Sequence, residues 1–88
     1  MKIRKKNGTV VMFNPDNIKL SVERASDEVR QPMNEADLKA IARQVEEQAR
    51  KEYRDEVTFR AVHMMVLYQL RTMGFTGVAA AYDAYHEM

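Results

Sequence analysis

Cysteine and tryptophan are absent from these 88 residues, and glycine (three) and proline (two) are scarce. Without cysteine there is no disulfide framework, no zinc knuckle or ribbon and no thiol nucleophile, so metal or redox chemistry would rest on two histidines. His63 and His86 have 22 residues between them and no H-x-x-x-H spacing, which gives a metal site very weak support. The low glycine and proline content excludes collagen-like repeats and low-complexity linkers. No uncharged apolar run approaches the roughly 18 residues of a membrane-spanning helix. The basic opening, Met1 to Gly8, is not followed by a signal-type apolar stretch, so a cytoplasmic protein with no membrane association is expected. Phosphate-loop and dinucleotide fingerprints are missing, as is any Ser/His/Asp set in recognisable context, and catalysis has no candidate.

What is present is the balance of a soluble globular domain: 45% hydrophobic and 31% charged residues, with seven methionines suited to an adaptable interior. A chain this short hides only about 60% of its unfolded surface, so a single domain spanning residues 1–88 with a thin core is expected. The net charge of +1 conceals an asymmetry. Up to Arg24 there are six Lys or Arg against two Asp or Glu, and beyond it eight against eleven. An anionic partner should therefore meet the N-terminal segment.

Ile3 to Phe13 reads as a hairpin, with Asn7-Gly8 as a two-residue type I′ turn and Thr9-Val10-Val11-Met12-Phe13 as the returning strand. Period-2 alternation puts Lys2, Arg4 and Lys6 on one face, Ile3 and Lys5 on the other. Asn14-Pro15-Asp16 opens a helix through a cap, a proline at the first position and an acid at the positive end. Its apolar stripe is Ile18, Val22, Ala25 and Val29, and Pro32 closes it. Asn34 with Asp37 forms a weak capping box for a second helix, whose inner face is Leu38, Ile41, Ala42, Val45 and Ala49. Glu46-Arg50 and Glu47-Lys51 pairs mark the solvated side of that helix. Asp55-Glu56-Val57 offers an optional strand. Thr58 caps a third helix towards Met73, with Gly74 as its C-terminal stop. A last helix follows Phe75-Thr76-Gly77 and carries Val78, Tyr82 and Tyr85 on one stripe. The sum is a small α+β domain.

Among these residues, Lys5 and Lys6 beside a tight turn place two ammonium groups where backbone N–H groups can also face an anion. Asn14, Asp16 and Asn17 stand at a helix start, where capping is the simpler explanation and a phosphate site the alternative. His63 is expected to be half-buried or at the surface, and His86 exposed. Tyr82, Tyr85, Met64, Met65 and Met73 recur at helical spacing and are expected in the core rather than as a base-stacking platform.

The order of these signals is more specific than any one of them. Ile3-x-Lys5-Lys6-Asn7-Gly8 is followed by Val11-x-Phe13-Asn14-x-Asp16-Asn17-Ile18 and then Ala25. Glu56-Val57-Thr58 runs on through Val62, Val66 and Leu70 to Val78-Ala79-x-x-Tyr82-x-x-Tyr85. This arrangement resembles the ATP-cone family, whose opening typically reads V-x-K-R-D-G and then F-D-x-x-K-I before a helix. The resemblance spans nearly the whole chain.

It implies a four-helix bundle capped by a small three-stranded β-sheet, made of the N-terminal hairpin plus a short strand. Such a domain binds ATP or dATP, with magnesium as the accompanying cation, and performs no chemistry. Family members sit at the N-terminus of ribonucleotide reductases, or behind a zinc ribbon in the repressor of their genes. A reductase or its regulator is thus the expected partner, with self-association a further option. By position, Ile3 would lie against the base or sugar, and Lys5 and Lys6 would face the phosphates. Asn14 and Asn17 would stand at the start of the first helix, with His63 lining the cleft.

Four departures from the family pattern stand out. Lys6 replaces an arginine and its planar fork, Asn7 replaces aspartate, Val11 stands where some members carry glutamate, and Asn17 replaces a phosphate-directed lysine. Lys19 is the nearest substitute cation. A cone that has lost its ligand and serves as an interaction module is the second reading. Nucleic-acid binding is disfavoured, because Lys2, Arg4, Lys5 and Lys6 come without an aromatic-rich sheet to read bases.

Overall fold

The computed structural model describes residues 1–86; the expectations for the Tyr85 and His86 side chains lie outside what is described. The elements are β1 (Lys2–Arg4), β2 (Val10–Met12), α1 (Pro15–Val29), α2 (Glu35–Glu52), β3 (Glu56–Thr58), α3 (Phe59–Thr72) and α4 (Thr76–His86). The four helices close a ring in which α1 and α3 each pack against both α2 and α4. A three-stranded sheet in the order β2-β1-β3 caps it, so the domain is α+β, and the optional third strand is real.

β1 is the central strand. It pairs antiparallel with β2, Ile3 opposite Val11, and parallel with β3, Ile3 opposite Val57. The alternation expected for β1 holds: Lys2 and Arg4 are exposed, while Ile3 is half-buried against the core. The turn differs from the type I′ expectation. Lys5 N–H donates to Thr9 O (2.8 Å) and Gly8 N–H to Lys5 O (3.0 Å), and Gly8 alone in the loop has a positive φ, +87°. Lys6-Asn7-Gly8 is therefore a three-residue loop, a type I turn followed by a left-handed glycine in a G1 bulge. Asn7 caps it by accepting the Thr9 N–H at its Oδ1 (3.0 Å). The extra loop residue brings both lysines to the end of the strand.

The helix signals operate as expected. Asn14 Oδ1 accepts the Asp16 N–H, Asn34 and Asp37 form a reciprocal capping box, and Thr58 Oγ1 accepts the Ala61 N–H. Gly74, with φ +87°, follows the end of α3, and Phe75 N–H returns to Leu70 O (2.8 Å). Val22, Ile41, Val45, Val57, Val66, Leu70 and Val78 are sealed from solvent at the centre. Glu46 and Arg50 make the expected i, i+4 pair at 3.2 Å.

Three expectations need correction. Val29 is 40% exposed and Ser26 takes its place inside. The chain turns back at Arg30, so Ser26 lies under the α1–α2 connection, where its hydroxyl donates to Gln31 O. Met64 (55%) and Met73 (38%) are exposed, whereas Met65 and Tyr82 are core, because α3 turns only part of its circumference inward. Finally, α4 starts at Thr76, with Gly77 inside the helix. A partner from far along the chain makes this start workable: Gln31 Oε1 accepts the Val78 N–H (3.1 Å), satisfying a first-turn donor.

Arg30, at the C-terminal cap of α1, has φ 55° and ψ 34°, a left-handed conformation that costs a residue with a Cβ and suits glycine. Arg30 is exposed. Arg30→Gly should raise stability by about 0.5–1 kcal/mol, read as a melting temperature several degrees higher. A lower midpoint in thermal denaturation would mean that the arginine side chain contributes more than its backbone costs.

Candidate functional site

Because β1 and β3 run parallel, their C-terminal ends open at the same edge of the sheet. β1 leads there into the Lys5–Gly8 turn, and β3 leads directly into α3, Thr58 being both its last residue and the helix cap. Between the turn and the first turns of α3 lies a cavity of about 490 Å³, within the roughly 300–1,000 Å³ typical of small-molecule sites. Arg4, Lys5 and Lys6 line one side; Thr58, Phe59, Arg60, His63 and Met64 line the other. Four cationic residues thus face a space in which no carboxylate is found among the described lining residues. The positive end of the α3 dipole adds to that field.

The cations differ in their commitments. Arg4 is held by Glu56, Nε to Oε2 at 2.7 Å and Nη2 to Oε1 at 3.3 Å, and its Nη1 donates to Gly8 O (3.2 Å). The hydrogen bond and charge of Glu56 hold this guanidinium above its already high usual pKa. Arg4 therefore ties the turn to β3 and positions the loop that carries the lysines. The Lys6 ammonium lies 5.5 Å from the centre of the Phe59 ring, a cation–π contact.

Behind Phe59 the wall is aromatic. The Phe59 and His63 ring centres are 6.1 Å apart, and those of His63 and Tyr82 5.0 Å apart, with interplanar angles of 30° and 21°. His63 Nε2 is 2.8 Å from Asp83 Oδ1, so the histidine links the cavity to α4. At 7% exposure it is more buried than its sequence position suggested. Burial pushes the Tyr82 hydroxyl up to about 12.

Of the residues singled out in the sequence, Lys5, Lys6 and His63 are brought together. Ile3 is the preceding inner-face position on β1 but packs on the core and does not line the cavity. Asn14 and Asn17 are exposed at the start of α1, by the opposite end of β1, where Lys2 pairs with Met12. Asn14 is engaged in capping, and the Asn17 N–H closes the first turn on Asn14 O (3.0 Å). Lys19, the substitute cation considered for position 17, pairs with Glu35 on α2. That hydrogen bond raises the lysine's pKa and lowers the carboxyl's. Sequence reasoning passed over Arg60 and Phe59. Both follow the Thr58 cap, and that cap was the available signal, since it placed them in the first turn of α3.

Against this geometry the comparison with known families is direct. The family model described as the ATP cone domain matches residues 1–88, the whole chain. The chain belongs to the ATP-cone family, whose domains bind nucleotides as allosteric regulatory modules and are not themselves catalytic. Comparison with curated proteins gives no significant match.

The Tyr82 shift has a sign that can be tested. Its folded pKa of about 12 exceeds the ordinary 10.0, so the neutral phenol is favoured by the fold. That stabilisation is complete below pH 10 and disappears as the pH rises towards 12, a loss of about 2–3 kcal/mol. Urea unfolding at pH 9 to 12 should show it, and Tyr82→Phe should flatten that limb. An equally steep decline in the phenylalanine variant would assign the alkaline loss to other groups.

Proposed function

We propose that this domain senses ATP or dATP for a ribonucleotide reductase or for the regulator of its genes, with the triphosphate seated in the cavity between the β1 turn and α3. The observation that carries the reading is the convergence of Lys5, Lys6 and Arg60 on a space with no carboxylate among its described lining residues. A triphosphate supplies the missing negative charge, and the α3 N-terminus points the same way. Arg4, tied to Glu56, keeps the turn in place and is the positioning member of the group. His63 lies beside the phosphates as an aromatic and polar wall. The described lining residues offer no carboxylate to a divalent cation, so a magnesium ion would be held by the nucleotide's own phosphates. Among the described residues no group of three or more acidic or histidine side chains is arranged to hold a metal.

The regulatory step follows from the connections of the site. A ligand bridging the β1 turn and α3 draws the sheet cap onto the helix ring, and the His63–Asp83 contact passes any movement of α3 to α4. Because a ligand bound only to the native state stabilises it, 100-fold excess over Kd adds about 2.7 kcal/mol. Saturating ATP or dATP should therefore raise the melting midpoint by about ten degrees in a domain of this size. Lys5→Ala, Lys6→Ala and Arg60→Ala should each weaken ATP binding by about tenfold in calorimetry while the unliganded midpoint stays nearly constant. Ionic strength must be matched, since salt alone screens lysine repulsion. No midpoint shift at millimolar nucleotide would remove the sensor reading and leave an interaction module built on the cone fold.

A further inference from the structure

We infer that Asn7 is a self-modifying site: the backbone nitrogen of Gly8 attacks its side-chain amide and converts it, with loss of ammonia, to a carboxylate in the middle of the cationic turn. Three observations single it out. First, the nucleophile is unhindered: Gly8 has no Cβ, the place one would take has nothing within 4 Å, and Asn7 and Gly8 are both exposed to water. Second, Asn7 Oδ1 accepts the Thr9 N–H at 3.0 Å, which folds the amide forward across the intervening Gly8 nitrogen. That same N–H polarises the amide carbonyl and is in place to stabilise the oxyanion as the nitrogen adds. Third, the other asparagines lack this arrangement. Asn14 precedes Pro15, which has no N–H to give up. Asn17 precedes Ile18 inside α1, and Asn34 precedes Glu35, its Oδ1 committed to the Asp37 N–H of the capping box.

The step balances with water alone. Gly8 N–H gives its proton to hydroxide and the nitrogen bonds to Asn7 Cγ; the Cγ–Nδ2 bond then breaks, and Nδ2 takes a proton from solvent and leaves as ammonia. The cyclic imide that remains is opened by water. Addition at Cγ restores the ordinary backbone with an aspartate side chain, whereas addition at the Asn7 backbone carbonyl routes the chain through Cγ as isoaspartate. The Gly8 N–H bond to Lys5 O (3.0 Å) must open first, and in an exposed turn water replaces it at small cost. Either product lowers the net charge from +1 to 0 and sets a carboxylate in the loop that Arg4 braces and Lys5 and Lys6 begin. The positive field at this edge of the sheet therefore declines with the age of the protein.

The whole chain, incubated in mildly alkaline buffer and sampled over time, provides the test. Peptide mapping by mass spectrometry should show amide-to-acid conversion at Asn7 at least about tenfold faster than at Asn17 or Asn34, with isoaspartate beside aspartate, and slower conversion in mildly acidic buffer. Elution from a cation exchanger should move earlier in step with the mass change. Asn7→Ser, which keeps an oxygen for the Thr9 N–H but has no amide, should remain unchanged in both readouts. Because opening the turn gives up one exposed hydrogen bond, the native chain should convert within about tenfold of its rate in guanidinium chloride. Conversion spread evenly over Asn7, Asn17 and Asn34 would overturn the assignment. So would a native rate more than about a hundredfold below the unfolded one, since the folded turn would then shield the amide.

Discussion

Parallel pairing of β1 with β3 is the constraint from which the rest of the architecture follows. Parallel neighbours cannot be joined by a tight turn, so the chain between them must travel far, and here it holds β2, α1 and α2. The same pairing opens both strands at one edge, where the β1 turn and the N-terminus of α3 face each other. The cavity is the space they enclose. Val57, sealed from solvent opposite Ile3, anchors this pairing from the core side. A three-residue strand has few ladder bonds of its own, and its stability comes from packing against the helix ring.

Charge repulsion and bracing contacts oppose each other at that edge. Gathering Arg4, Lys5, Lys6 and Arg60 around one space is unfavourable by mutual repulsion, and solvent exposure with screening salt keeps the cost modest. The Arg4–Glu56 bridge neutralises one member and uses it to brace the turn. The remaining positive field is one that a bound anion would relieve. His63, between Phe59 and Tyr82 and bonded to Asp83, gives the cavity a stiff wall that belongs equally to α3 and α4.

Departures from the family pattern take on different weights in this geometry. Lys6 in place of arginine loses a planar fork and leaves a point charge at the cavity. Asn7 in place of aspartate still supplies the Oδ1 that the loop needs. Asn17 and Lys19, which looked like a loss and its remedy, are both away from the cavity, one at a helix start and the other paired across to α2.

The sequence by itself determined what depends on neighbours along the chain. Caps at Asn14, Asn34 and Thr58, the glycine after α3, the inner face of α2 and the family pattern were all legible, because capping geometry and helical periodicity are set within a few residues. Local pattern also misled where two local solutions compete: Asn-Gly suits a two-residue turn, yet register across β1 and β2 required a three-residue loop. Only the tertiary structure decided which candidates meet. Gln31 reaches the start of α4 across 47 positions, and Arg60, Phe59 and Asp83 join Lys5, Lys6 and His63 around one wall. Asn14 and Asn17 fall at the other end of β1, since strand direction, which no local spacing encodes, assigns each end of the sheet its residues.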